Sequence, residues 1–534
     1  METKRKNKTI KWIWQISGKT KINIVFLIVL QSLIGITGVL YAWLFRGLVD
    51  TAVAHDWNGF WSNAIFLVCL MVLNICVSAL LRFIDEYTAA TFENNFKTRV
   101  FTNILHKDYA SVTSTHSGEW LNRLTNDCVI VANGMTTILP QVTGLVVKLI
   151  AAIILMLLLV PEFVFVLVPF GLLILIITYL FRKKLKTLHK KIQETDGRLR
   201  VFLSERLSNL LIVKAFVREK ESIVGAKKRM HEHKQARLKR LAFSNTANVG
   251  ITVVFTGAYV ISAIYCGYGI LTDVLTYGTF VAVIQLVNQI QLPFSNISAY
   301  VPQYYAMLAS AERLMDVEDF SNDSVEPINN PGFNTLKFSH VDFAYDKLPV
   351  LKDVNLEINK GDCIAFIGES GIGKSTMLKL LMAIYQPQSG KCLVDNQVIT
   401  PAYRNLFAYV PQGNFMMSGS IRDAVSFGQN KSDEEIWGAL KIACAENFVD
   451  NLDRELGEAG SGLSEGQLQR LAIARAIATN NPVLLLDECT SALDSSTESK
   501  LLKNLKSMTD RTVVIVTHRE AARKICDKEF KINA

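Results

Sequence analysis

Six transmembrane helices followed by a separate α/β domain are expected from this chain of 534 residues, for three reasons. Half of the residues are hydrophobic, more than a soluble chain of this size needs. That apolar excess is concentrated in residues 22–302, whereas 336–534 have the mixed composition of a globular domain. Lysine and arginine are distributed unevenly around the apolar runs, as they are at a membrane. The division expected is a short N-terminal segment (1–21), a membrane domain (22–315), a linker (316–335) and an α/β domain (336–534).

A hydrocarbon core of about 30 Å takes ~20 helical residues to cross. Ile22–Leu44, Phe60–Phe83, Ile138–Val160, Phe163–Phe181, Asn248–Ile270 and Thr279–Ile297 meet that length. Buried soluble helices are the alternative, but Leu149–Val160 and Phe163–Leu180 together with the turn between them carry one charge, Glu162. Pro161 and Glu162 form that tight turn at one membrane face. The first run is of spanning length, so no cleavable signal peptide is expected.

Orientation follows from the basic residues. Lys4, Arg5, Lys6, Lys8, Lys11, Lys19 and Lys21 precede the first span, and 182–240 are dense in lysine and arginine. The loops around 46–59, 161–162 and 271–276 are nearly free of them. The positive-inside rule therefore puts the N-terminus and the α/β domain in the cytoplasm of a multi-pass cell-membrane protein. The net charge of +9 is accounted for by this asymmetry, and no nucleic-acid partner is expected. Two cytoplasmic excursions, 84–137 and 182–247, show helical spacing of apolar residues, with turn points near His106–Ser111 and Leu211–Arg218. Contact with the α/β half is preferred over solvated stalks, since something must couple the two halves. Nine cysteines are scattered without C-x-x-C or metal-ligand spacing, and no chemistry is assigned to them.

In the α/β half, the apolar run Cys363–Ile367 feeds Gly368-Glu369-Ser370-Gly371-Ile372-Gly373-Lys374-Ser375-Thr376. A strand, a glycine-rich turn and a helix start make a phosphate-binding loop. The glycines let successive N–H groups face phosphate oxygens, Lys374 supplies a point charge, and the Ser375 hydroxyl suits Mg²⁺. ATP binding follows, with Mg²⁺ as cofactor. Upstream, Leu336–Tyr345 alternates like a strand, and the Tyr345 ring is placed either to stack on adenine or to pack within the domain. Downstream, the apolar Val483–Leu486 delivers Asp487 and Glu488. The first suits Mg²⁺ coordination and the second a general base for the attacking water.

With these residues in hand, the chain resembles an exporter-type ATP-binding cassette (ABC) half-transporter over almost its whole length. Leu463-Ser464-Glu465-Gly466-Gln467 is similar to the family signature. Gln412 in Tyr-Val-Pro-Gln matches its Q-loop, Ser491-Ala-Leu-Asp494 its D-loop, and His518 its switch histidine. Thr115–Asp127, with Gly118-Glu119 and Arg123–Asp127, resembles the first cytoplasmic loop. Ala311–Leu314 resembles the passage from the sixth helix to the nucleotide domain.

The resemblance implies the exporter fold with a P-loop NTPase domain, catalytic roles for Glu488, His518, Gln412 and Lys374, and Gln412 beside Ser375 and Asp487 at the metal. It further implies that Ser464 and the Gly466 amide, at the start of a helix running to about Thr479, meet the γ-phosphate held by another subunit, with Gln467 and Asp494 also among the nucleotide-binding residues. Two chains would then enclose two ATP molecules, as a homodimer or with a different partner. Glu465 stands where the family usually has glycine. The segment between Asn451 and Leu463 is shorter than usual, and a trimmed tail is expected after His518.

For the cargo, Gln285, Asn288 and Gln289 fall on one face of the sixth span, with Gln291 to one side and Asn296 further on. A water-filled cavity and interhelical hydrogen bonding both explain such a stripe. Lys148, inside the third span, is either a cavity charge or a snorkelling side chain. The short segment before the first span leaves no room for an N-terminal peptidase domain, and no large outside domain is expected to receive a binding protein. ATP-driven export of an amphipathic peptide, lipid or drug is the leading expectation. A lipid flippase and an ATP-gated channel or sensor subunit are the alternatives.

Overall fold

The computed structural model describes residues 2–323, 325–328, 331–345, 348–413, 416–457 and 460–532; some helical side chains, 294–299 among them, also lie outside the description. The chain divides into two compact units, 1–101 with 121–315, and 102–120 with 316–534.

The helices up to Met315 are α1 (Glu2–Ile16), α2 (Lys21–Val53), α3 (Trp57–His106), α4 (Tyr109–Thr113), α5 (Ser117–Asn122), α6 (Cys128–Leu159), α7 (Val164–Ser208), α8 (Leu210–Ala215), α9 (Glu219–Leu271) and α10 (Tyr277–Met315). The six expected spans fall in α2, α3, α6, α7, α9 and α10. Among the described residues, Gly18–Val53, Trp57–His106, Ser117–Leu159 and Glu219–Leu271 are long and apolar enough to cross a membrane. The 50 residues of α3 make a rod of about 75 Å, far longer than a bilayer is thick. Many of its apolar side chains as far as Phe83 point outward (Ile65, Phe66, Val68 and Phe83 are all exposed), as lipid-facing residues must, whereas Phe92, Phe96 and Val100 further on are buried. Pro161–Phe163 forms the expected tight turn.

A π turn, Arg123–Asp127, leads into α6. It aims two side chains at the end of α10. The buried Asp127 carboxylate accepts from Arg313 Nε at 2.8 Å, Arg313 Nη2 at 2.6 Å and Ser310 Oγ at 2.9 Å. In return, Arg123 Nη1 donates to the Arg313 carbonyl at 2.9 Å. A buried carboxylate needs such multiple donors to offset its lost hydration.

The second unit is built on two sheets. Strands β1 (Thr335–Tyr345), β2 (Leu348–Asn359), β4 (Ser389–Val394) and β5 (Gln397–Val398) form an antiparallel sheet in the order β2-β1-β4-β5. Strands β3 (Cys363–Ile367), β6 (Phe407–Val410), β9 (Val483–Asp487), β10 (Thr512–Val516) and β11 (Lys528–Lys531) form a parallel one in the order β11-β3-β10-β9-β6. Separately, β7 (Gly419–Ser420) pairs with β8 (Glu455–Leu456). Strands β3, β9 and β10 are apolar apart from Asp487 and Thr512, because helices cover one face of the parallel sheet and α11 (Lys374–Leu381) with the antiparallel sheet covers the other. The helices of the first face are α12 (Ile421–Ser426), α13 (Asp433–Ile442), α14 (Glu465–Ala478), α15 (Ser495–Lys506) and α16 (Glu520–Ile525).

The segment 102–120 folds as part of this second unit. Lys107 Nζ donates to the carbonyls of Glu318 at 3.0 Å and Phe320 at 2.6 Å. Trp120 sets its ring edge-on to Phe320 at 6.1 Å, and Tyr109 does the same to Tyr385 at 5.9 Å.

Candidate functional site

Parallel pairing brings the carboxyl ends of four strands to one edge. Val516 of β10 lies opposite Phe366 of β3 and Asp487 of β9, and Val410 of β6 lies opposite Leu486 of β9. The residues that leave these strands are Gly368, His518, Asp487 with Glu488, and Gln412. Ligands bind at such edges because loops there are free of the sheet's hydrogen bonding and helices start there. Four distant stretches of sequence thus become neighbours.

The loop after β3 turns through glycines in the left-handed region, with φ of 154° at Gly368, 84° at Gly371 and 106° at Gly373. A Cβ on Gly373 would lie 2.7 Å from Leu351 Cδ2, so the site tolerates no side chain there without a shift. Lys374 is buried at 5 % exposure and donates to the carbonyls of Gly368 at 3.0 Å and Glu369 at 2.8 Å. Its ammonium is therefore held over the loop, where phosphate oxygens would meet it. The loop is a cradle that a bound triphosphate fits.

Beside it stand two carboxylates in different surroundings. Asp487 is 1 % exposed. Its Oδ1 accepts from Ser375 Oγ at 2.8 Å and its Oδ2 from the Tyr409 hydroxyl at 3.1 Å. Burial nevertheless wins over these bonds and holds its carboxyl above the ordinary value, while burial also raises the Tyr409 hydroxyl. Glu488 is more open, its side chain 25 % exposed. Its Oε2 accepts from Gln412 Nε2 at 2.7 Å, and His518 Nε2 lies 3.3 Å from its Oε1. Its φ of 48° places it in the left-handed region, where its N–H donates to Val516 at 3.0 Å. Such strain in a non-glycine residue persists only where the surroundings fix it.

Ser375, Asp487 and Gln412 are hard oxygen donors, few in number, which suits Mg²⁺ sharing its shell with water and phosphate. Among the described residues, no group of three or more His, Cys, Asp or Glu side chains is placed to hold a metal ion by itself. Tyr345, at the end of β1, donates to or accepts from Thr376 Oγ1 at 3.2 Å. Its ring stands edge-on to Phe343 at 4.9 Å and to Tyr385 at 5.3 Å.

Signature and D-loop residues form a second cluster. Ser464 caps α14 and Gln467 caps it reciprocally: Gln467 N donates to Ser464 Oγ at 3.3 Å, and Ser464 N donates to Gln467 Oε1 at 2.8 Å. A Cβ on Gly466 would sit 2.8 Å from the Ala492 carbonyl oxygen, so helix and D-loop touch backbone to backbone. Gln469 fastens the contact, donating to Ser491 Oγ at 3.0 Å and accepting from Ala492 N at 3.2 Å. Asp494 caps α15, its carboxyl held below the ordinary range first by the Ser496 hydroxyl and then by the Thr497 amide. Among the described residues, none of Ser464, Gly466, Gln467 and Asp494 bonds to the P-loop.

In the membrane unit, the α10 stripe divides. Gln289 donates to the Gly38 carbonyl of α2 at 2.5 Å, an interhelical hydrogen bond, whereas Asn288 is exposed. The side chain of Asn296 lies outside the described residues. Two residues were not singled out from sequence. Tyr409 looks like any aromatic on a strand, and Tyr385 like a residue past a helix end. The register of β6 on β9 gives Tyr409 its partner, and the packing of β1 and of 102–120 gives Tyr385 its own.

The sequence matches the family of the ABC transporter transmembrane region over residues 24–294 and that of the ABC transporter over 351–491. It is 30% identical to a putative export ATP-binding/permease protein of Rickettsia felis, across 94% of this chain and 90% of that one. It is 29% identical to a multidrug resistance ABC transporter ATP-binding and permease protein of Lactococcus lactis, across 94% and 88%. In fold it is similar to a bacterial Atm1-family ABC exporter with ATP bound, at a TM-score of 0.79 and 22% identity over 96% of this chain and 94% of that one. A helical membrane domain and a P-loop domain with a complete row of strand-end residues, in one polypeptide, place the chain in the ABC transporter family as an exporter-type half-transporter that hydrolyses ATP.

Proposed function

We propose that this chain works as a homodimer in the cell membrane and exports an amphipathic substrate by alternating access, with ATP enclosed between two copies of the second unit. The observation that carries this is the division of the site. Lys374, Ser375, Asp487, Glu488, Gln412 and His518 gather at one sheet edge, whereas Ser464 and Gly466 sit on a helix N-terminus bonded only to its own neighbours. A helix N-terminus offers its amides to an anion, and a second copy supplies that anion in the form of bound ATP.

Within one site the roles follow from surroundings. Lys374 and the loop amides bind and orient the phosphates. Ser375, Asp487 and Gln412 would hold Mg²⁺, which supplies charge neutralisation at the phosphate oxygens when bound. Glu488 is the carboxylate free to take a proton from an attacking water, and His518 and Gln412 fix its two oxygens. Tyr345 offers a ring to adenine. The basic N-terminal segment and residues 182–240 support a cytoplasmic location for the ATP sites. A channel or sensor subunit would need neither a held general base nor its two supports, which favours a hydrolysing exporter.

The test uses the purified chain in nanodiscs and proteoliposomes. Wild type should accumulate a labelled amphiphile only with MgATP. Glu488→Gln should lower phosphate release by about 10²–10⁴-fold while still trapping ATP in a two-chain state. Turnover by Lys374→Ala at the wild-type rate, or a Glu488→Gln protein that stays single-chained with ATP, would refute the proposal.

A further inference from the structure

We infer that the membrane unit binds an anionic group of the transported molecule, a carboxylate or phosphate, at a site made by Lys148 of α6 with Gln289 of α10 against Gly38 of α2. This rests on the reading of the unit as a translocation path.

Three helices converge there. A Cβ on Gly35 would lie 2.9 Å from the Gly144 carbonyl oxygen and one on Gly144 would lie 2.4 Å from Gln31 Cγ, so α2 and α6 cross in close contact. One turn along, Lys148 lies on the glycine face of α2. Its Cβ would be 3.2 Å from a Cβ at Gly35, and its Nζ 3.9 Å from one at Gly38. The side chain thus runs from Gly35 toward Gly38. With the N-terminus of α2 at the cytoplasmic face, that direction leads away from the cytoplasmic interface, the opposite of what snorkelling requires.

What the ammonium meets decides the chemistry. Neighbouring polar side chains pair off: Gln31 Nε2 donates to Gln141 Oε1 at 3.0 Å, and Asn74 Nδ2 to Thr37 Oγ1 at 2.8 Å. Lys148 has no such partner; among the described residues it makes neither an ion pair nor a hydrogen bond. Gln289 is pinned to Gly38 through its amide nitrogen, and its Oε1 is buried without a hydrogen bond. That oxygen would lie 3.3 Å from a Cβ at Gly38, the point from which Lys148 Nζ is 3.9 Å away. An unpaired cation and an unpaired acceptor therefore flank one patch within the membrane span, where both are costly. Both costs are relieved by one ligand: an anionic oxygen on the ammonium and an adjacent N–H or O–H on Gln289. A carboxylate beside an amide and a phosphate beside a hydroxyl both have that form.

Dansyl-undecanoate and its primary amide, titrated by fluorescence into the nucleotide-free full chain in phosphatidylcholine nanodiscs, separate charge from shape. Wild type should bind the acid at least about tenfold more tightly than the amide. Lys148→Gln should erase the difference, Lys148→Arg should keep most of it, and Gln289→Leu should weaken the amide, whose N–H the Gln289 oxygen can accept, more than the acid. Replacing part of the lipid by phosphatidylglycerol tells the sources apart. Displacement of the acid marks a lipid headgroup as occupant, and unchanged binding marks a cargo group; either result supports the site. Equal affinity of wild type for acid and amide overturns the proposal, as does a preference that survives in Lys148→Gln. The wild-type comparison decides even where a variant fails to fold. Acid binding without ATP-driven accumulation in proteoliposomes would leave this site standing and remove the export reading instead.

Discussion

Asp487 pits burial against chemistry. Its carboxyl is raised above the ordinary value of 3.8 because burial exceeds the help from Ser375 and Tyr409. The folded chain therefore holds a proton there more readily than the unfolded one. Above the raised value the full cost of a buried charge is carried; as pH falls through it, stability from this group rises, until both states are protonated below 3.8. Asp487→Asn removes the charge at constant shape. The nucleotide-free domain should melt about 2–4 °C higher in calorimetry, and the further rise on adding MgATP should vanish. A lower melting point would show that the Ser375 and Tyr409 bonds outweigh the buried charge. A charged carboxylate in such a place makes sense only if something cationic joins it.

Among the elements, α14 and the D-loop behave as one piece because no atom separates them. Gly466→Ala would push a methyl to 2.8 Å from a backbone oxygen, which cannot rotate away. Hydrolysis should fall about tenfold or more, while binding of a fluorescent ATP analogue at the P-loop stays within about twofold. Equal losses in both would place the damage in the fold of the whole domain. Tyr385 joins β1 to the segment 102–120 through edge-on contacts with Tyr345 and Tyr109. If Tyr345 stacks on adenine as proposed, Tyr385→Leu should raise the KM for ATP about threefold to tenfold, since the Tyr345 ring loses a wall. The sequence disclosed elements whose signals are local. Glycine spacing marked the P-loop, Ser464 with Gln467 marked a helix start, and apolar runs marked β3 and β9. It could not disclose the Asp127–Arg313 pair, whose members lie 186 positions apart, or the Tyr409 bond to Asp487 across 78. Those depend on register and helix crossing, which no short window contains. Lys148 was legible as an oddity, but the direction of its side chain was not.

For the whole molecule, the separation of signature from P-loop predicts complementation between chains. Lys374→Ala spoils the phosphate loop and Ser464→Arg spoils the helix start, so each homodimer should be inactive. Coexpressed and purified as a mixed pair, they leave one site with both halves intact, and hydrolysis should return to a substantial fraction of the wild-type rate. Silence in the mixed pair, with both chains present, would mean that one chain completes its own site. The folding of 102–120 against 316–534 has a further bearing on how this protein is handled. An excised ATPase fragment beginning at Asp316 would bare the Tyr385 and Phe320 rings that Tyr109 and Trp120 otherwise cover. Such a fragment is expected to be sticky and sluggish, and a synthetic peptide of 102–120, added in trans, should soothe it.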